Sequence, residues 1–255
     1  MFNKLEAIER VREKLRTGGR SLGSWMQLPN SSVAEILGDA GYDWVAVDME
    51  HGAFSKALLP DIFRALELGG TLPFARLAQG SVKDCKDALD AGAAGVIIPM
   101  IRDAEHVKEV LGHCCWPPAG TRGVGFSRAN LFGKRFEEYR KEAQKPFFAA
   151  MIENVSAAEQ AGEIAQIAGL DALLIGPYDL SASMGMTGEF DRPEFKAVIE
   201  KVLTSCAAHN MACGIHVVEP SPTMLNEAIE KGYRFNAYSI DSLFLMRASE
   251  SPDLA

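Results

Sequence analysis

Eight times along this chain a short apolar run gives way to a helix-forming stretch, and that alternation limits the fold more than any other feature. The runs are SLGSWMQL, YDWVAVDMEHG, TLPFARLA, GVIIPMI, FFAAMIE, ALLIGPYDLS, ACGIHVV and FNAYSID. They are predominantly apolar runs and not strict apolar–polar alternations, as expected of parallel strands covered on both faces. Helical spacing is predicted at residues 31–40, 55–68, 81–91, 103–113, 154–169 and 193–209, with shorter helices around RFEEYRKEA and up to Gly232. Eight such units predict a (β/α)8 TIM barrel as one domain over residues 1–255, with a doubly wound sheet as runner-up. An amphipathic N-terminal helix bearing Leu5, Ile8 and Leu15 precedes the barrel, and a short helix with Leu243, Phe244 and Met246 follows it. No Pro/Ser/Gly tract divides the chain.

Composition removes some functions. With 47% hydrophobic residues a large core is available, and a net charge of −8 argues against nucleic acid or an anionic membrane as partner. The N-terminus mixes charges with apolar residues, unlike a signal peptide, and no apolar run has membrane-spanning length. Cys85, Cys114, Cys115, Cys206 and Cys213 form no CxxC pair and are odd in number. Reduced, buried thiols in a cytoplasmic protein are the expectation.

In a barrel of this kind, chemistry gathers where the strands end. The polar residues there are Gln27, Asp48, Glu50, His51, Arg76, Glu153, Asp179, His216 and Asp241. Residues 147–181 form a βαβ unit that brings Glu153 and Asp179 to one edge of the sheet, where two carboxylates invite a hard divalent cation. The competing reading is structural: pairing with lysines, or a helix cap, which Asp179 before Leu180-Ser181 resembles. His51 follows Asp48 by three residues, so Asp48, or instead Glu50, can orient its ring as a general base. Arg76 ends an apolar strand and calls either for an anion or oxyanion or for a salt bridge to Glu153 or Asp48.

Two further features bear on the chemistry. GTRGVG is a weak phosphate cradle because it does not lead a strand into a helix, so Arg122 and Arg128 are loop residues facing solvent, substrate or a neighbouring subunit. No lysine lies in a strand run: Lys145 and Lys231 precede strands five and eight. That disfavours Schiff-base chemistry, which needs a desolvated lysine in the site.

Together VDMEHG, FARL, GVIIPM, GTRGVG, MIEN and IGPYDLSASMG resemble the HpcH/HpaI aldolase family, the metal-dependent class II pyruvate aldolases, from the first strand to the last. The resemblance implies that Glu153 and Asp179 bind magnesium, manganese or cobalt, that His51 is the base with Asp48 as its partner, and that Arg76 stabilises an enolate. It also implies that Asp90 strengthens the base from a neighbouring subunit. That accords with a homohexamer built as a trimer of dimers, with the last helix swapped between partners. Substrate contacts would come from Met151, Gly176, Pro177 and Tyr178. Met151 stands where several members carry Gln, and Tyr178 where a small residue is common, so these positions bear on which substrate is used. The implied reaction cleaves a 4-hydroxy-2-oxo acid to pyruvate and an aldehyde, and runs in reverse. The rivals are a related lyase acting on acyl-CoA thioesters, which would want a basic cleft, and a catalytically silent metabolite-binding barrel, which would have lost His51 or a carboxylate.

Overall fold

In the computed structural model, which describes residues 2–251, eight parallel strands close into a barrel in sequence order. They are β1 (Ser21–Met26), β2 (Trp44–Asp48), β3 (Leu72–Arg76), β4 (Gly95–Ile98), β5 (Phe147–Ile152), β6 (Ala172–Ile175), β7 (Ala212–Val217) and β8 (Phe235–Ile240). The β1–β8 pairing closes the circle and excludes the doubly wound alternative.

Alternation along each strand sorts side chains into two cores. Outward residues such as Val45, Val47, Phe148, Ala150, Leu173 and Ile175 pack under the helices. Inward residues fill the lumen, where Trp44, Phe74, Phe147 and Phe235 form a closed ring of stacked aromatics with centroid separations of 5.4, 4.9, 5.4 and 4.6 Å. Space for that ring comes partly from Gly23, where an added Cβ would sit 2.2 Å from the Trp44 ring.

The N-terminal helix Lys4–Arg16 floors the barrel, inserting Ile8, Val11 and Leu15 into the same cluster as the lumen residues. Arg12 fixes it there: its guanidinium donates to both oxygens of Asp171, at 2.7 and 2.9 Å, and to the carbonyls of Lys145 and Pro146. With the lower end plugged, the C-terminal ends of the strands are left for chemistry.

Three local expectations change. The span 154–169 is not one helix but two short ones, Val155–Glu159 and Ala161–Ile164, because Gln160 leaves helical geometry at φ −95° and ψ 11°. The Gln160 side chain accepts the Ala104 N–H at 3.4 Å, and Asn154 caps the first helix through the Ala157 N–H as expected. The helix expected over 55–68 begins at Leu59, where Pro60 in the first turn needs no donor partner. A helix not anticipated, Pro177–Ser183, starts directly after β6. It places Asp179 inside the first turn and not at a cap.

The last helix, Asp241–Ala248, lies over its own barrel, with the Tyr238 and Phe244 rings 6.0 Å apart. Among the described residues, no helix is long and apolar enough to cross a membrane.

Candidate active site

The alternation that sends Trp44 and Phe74 into the lumen also turns Asp48 and Arg76 inward one layer higher. The two residues are paired in the β2–β3 register. Asp48 is fully buried, and Arg76 binds it bidentately, Nε to Oδ1 at 3.0 Å and Nη2 to Oδ2 at 2.6 Å. Gln27 donates to Asp48 Oδ2 at 3.0 Å, and the backbone N–H groups of Glu50 and His51 donate to Oδ1. Burial alone would raise the Asp48 carboxyl, but the bonds and charge of Arg76, with those of Gln27 and the His51 N–H, outweigh it and hold the group below its usual range. Arg76 Nη1 faces Glu50 at 3.1 Å, and its guanidinium lies 5.3 Å from the Trp25 ring. The arginine is thus fixed from several sides, and the second N–H on each of Nη1 and Nη2 has no hydrogen-bond partner among the described residues, so it can meet an oxyanion.

His51 sits in the turn after β2 and is exposed. Its tie to Asp48 runs through the backbone N–H at 3.1 Å, and its ring makes no hydrogen bond among the described residues. The anticipated ring-to-carboxylate contact is therefore not formed in the isolated chain.

Glu153 follows β5 and is buried. Its Oε2 accepts the Met100 N–H at 2.7 Å, and Met100 adopts a left-handed φ of 52° to deliver it. Its Oε1 lies against Gly176, where a Cβ would approach to 2.6 Å. Only glycine lets the carboxylate take this place. Burial first, then the negative charges of Glu50 and Asp179, outweigh the lowering effects of the Met100 N–H and the Arg76 charge and raise the Glu153 carboxyl to about 7. Asp179 is exposed on the helix that Pro177 opens, and Tyr178 beside it packs edge-on against Phe190 at 5.0 Å. Met151 lies in the lumen beneath Glu153.

These residues fit a hard divalent cation. A carboxylate driven towards protonation by burial and, less, by its acidic neighbours is what such an ion would relieve, and oxygen donors are what it prefers. Among the described residues, no cluster of three or more His, Cys, Asp or Glu is gathered tightly enough to hold an ion alone. Glu153 and Asp179 would supply two positions and leave others open.

Asp90 lies elsewhere, in the last turn of the helix Val82–Ala91, 3.9 Å from the buried Arg122 guanidinium. It does not join the Asp48–Arg76–Glu153 group. Strand-end polarity pointed to most of the cluster. The Met100 N–H escaped that reading because it is a backbone group on a strand end that looks apolar.

The sequence matches the model of the family described as HpcH/HpaI aldolase/citrate lyase over residues 21–248. A hydroxypyruvate/pyruvate aldolase from Roseobacter denitrificans is 32% identical over 247 residues, covering 96% of this chain and 95% of that protein. A 2-dehydro-3,6-dideoxy-6-sulfogluconate aldolase from Pseudomonas putida is 34% identical over 234 residues, covering 91% of each chain. Among solved structures, an HpcH/HpaI aldolase/citrate lyase family protein from Burkholderia cenocepacia superposes with a TM-score of 0.88 at 30% identity, covering 94% of this chain and 96% of that one.

Proposed function

The chain belongs to the HpcH/HpaI aldolase/citrate lyase family and is an enzyme of the carbon–carbon lyase class; we propose that it cleaves a 4-hydroxy-2-oxo acid to pyruvate and an aldehyde, and catalyses the reverse addition. The observation that carries this reading is an arginine locked in place by Asp48 beside the Glu153 carboxylate, with no lysine on any strand. That arrangement suits an enolate and offers no partner for an imine. The names of the relatives, aldolases of hydroxypyruvate and pyruvate and of a 2-dehydro sugar acid, point to the same class of 2-oxo acid.

His51, exposed at the mouth, takes the proton of the 4-hydroxyl. As the C3–C4 bond breaks, the 4-carbon leaves as the aldehyde and the electron pair moves onto the pyruvate fragment. The new oxyanion faces the free N–H groups of Arg76, whose position is set before substrate arrives, so little reorganisation is needed. Proton return to the methylene carbon gives pyruvate. A divalent cation, magnesium, manganese or cobalt, held by Glu153 and Asp179 would add positive charge at the 2-oxo oxygen. Met151 and the backbone of Gly176, Pro177 and Tyr178 line the pyruvate side.

We also infer a homohexamer, a trimer of dimers, in which Asp90, which faces Arg122 within its own chain, supports the His51 of a neighbouring subunit. Phe126 and Phe132, 75% and 67% exposed, offer apolar surface for such contacts, as do Leu245 and Met246 on the last helix. Light scattering of the purified protein gives that mass directly. The five free, buried thiols accord with a cytoplasmic setting.

The test is cofactor dependence of retro-aldol cleavage. Chelator abolishes activity, manganese or magnesium restores it, and borohydride with pyruvate traps no adduct. Full activity in chelator, or a trapped adduct, overturns the reading.

A further inference from the structure

His216 is a titratable group of the barrel mouth that this mechanism leaves without a task. Inward residues of β7 alternate as Ala212, Gly214 and His216, so the imidazole projects into the lumen one layer above the packed core. It stacks on Trp25 at 4.9 Å, and Trp25 is the ring that Arg76 also approaches. His216 and Arg76 therefore flank the same Trp25 ring, at the end of the barrel where Arg76 holds Asp48.

Its chemistry is fixed by its neighbours. The Nε2 atom lies 3.0 Å from the Ser239 carbonyl, and a carbonyl only accepts, so Nε2 carries the proton. Ser239 holds a left-handed φ of 55° inside a strand to present that oxygen, a conformation a non-glycine residue keeps only where the surroundings enforce it. Burial, together with the Arg76 charge, presses the ring down to about 4, so it is neutral at ordinary pH. A neutral ring with its hydrogen on Nε2 has a bare lone pair on Nδ1. That atom makes no hydrogen bond among the described residues, and it is not one of the polar atoms sealed from solvent without a partner. Arg76 and Asp48 beside it differ: Arg76 only donates, and Asp48 is enclosed by Arg76, Gln27 and two backbone N–H groups.

We propose that His216 Nδ1 is a substrate-binding acceptor that receives a hydroxyl hydrogen from the aldehyde-derived half of the substrate. The enzyme thereby selects a hydroxyaldehyde over its deoxy counterpart. This rests on the aldolase reading and narrows its substrate class. An acceptor fixed in one tautomer on a stacked ring is pre-oriented, and a substrate that covers it without offering a hydroxyl leaves it unpaired.

The experiment is aldol addition of pyruvate, with manganese present, to glycolaldehyde and to acetaldehyde, which differ by one hydroxyl. Wild type, His216→Leu and His216→Gln are compared through the ratio of kcat/KM for the two aldehydes. Each ratio is internal to one protein, so partial loss of active material cancels. The expected result is a preference for glycolaldehyde that falls about tenfold in His216→Leu, as for loss of one net hydrogen bond, and falls less in His216→Gln, which keeps an acceptor. An unchanged ratio in His216→Leu, or wild type using both aldehydes equally, overturns the proposal; the second outcome needs no variant to fold. Absence of product with every aldehyde, together with no exchange of the pyruvate methyl protons in wild type, overturns the aldolase reading itself.

Discussion

Glu153 depends on two things that are not side chains. One is the Met100 N–H, and the other is the missing Cβ of Gly176. Gly176→Ala places a carbon 2.6 Å from Glu153 Oε1, and the carboxylate must swing away. We expect Gly176→Ala to bind manganese on the order of 10–100-fold more weakly in a calorimetric titration, with the fold intact. Affinity equal to wild type would mean that Glu153 is not a ligand. The sequence names Glu153, Asp179, Arg76, Asp48 and His51 because acids, a base and an arginine at apolar strand ends stand out by residue type. It is silent on how they are held. The Arg76–Asp48 pairing, one of two salt bridges open to Arg76 from its position, is bidentate, and Asp48 reaches His51 through the backbone. Such details depend on φ, ψ and close approach, which residue type does not encode.

The N-terminal helix is the element that decides which end of the barrel is open. Its Arg12 supports a carboxylate that also accepts the Phe148 N–H at 2.9 Å, so helix, β5 and the start of β6 meet at one point. In Arg12→Ala, Asp171 loses its partner in a largely closed setting. The expected cost is about 3 kcal/mol, read as a fall of roughly 6–10 °C in Tm, with retro-aldol turnover at low temperature preserved. A Tm within a degree of wild type would show the helix to be a passive cover. At this scale the strands are legible throughout, since short, largely apolar runs repeated between helices have few other uses. The helices are less so. Gln160 breaks a segment rich in small residues whose spacing is uniform by residue type, and the Gly-Pro step at 176–177, which opens a helix at its first turn, continues an apolar strand run without a residue-type signal of the change.

Taken as a whole, the molecule sets two buried titrations at the barrel mouth against each other. His216 falls from an ordinary 6.5 to about 4. The unfolded chain then binds a proton that the native one refuses, and stability drops as pH falls from 6.5 towards 4, by roughly 3 kcal/mol for this group. Glu153 rises from 4.5 to about 7. There the native state holds the extra proton, and stability drops as pH rises through that window. Denaturant melts of metal-free protein at pH 7 and pH 4.5 separate the two. His216→Gln should lose less stability than wild type on acidification, and a parallel loss would show that His216 titrates normally. Addition of a divalent cation at pH 7 should reverse the Glu153 penalty.

All of this converges on one claim, that the cluster of Asp48, Arg76, Glu153 and Asp179 makes and holds the enolate of pyruvate. The direct measurement is proton NMR of pyruvate in deuterium oxide with enzyme and manganese, with no aldehyde present. The account predicts steady loss of the methyl signal, abolished by chelator and slowed on the order of 10²-fold or more in Arg76→Ala. A methyl signal that persists with the wild-type enzyme and cation, or that exchanges as fast in Arg76→Ala, would contradict it.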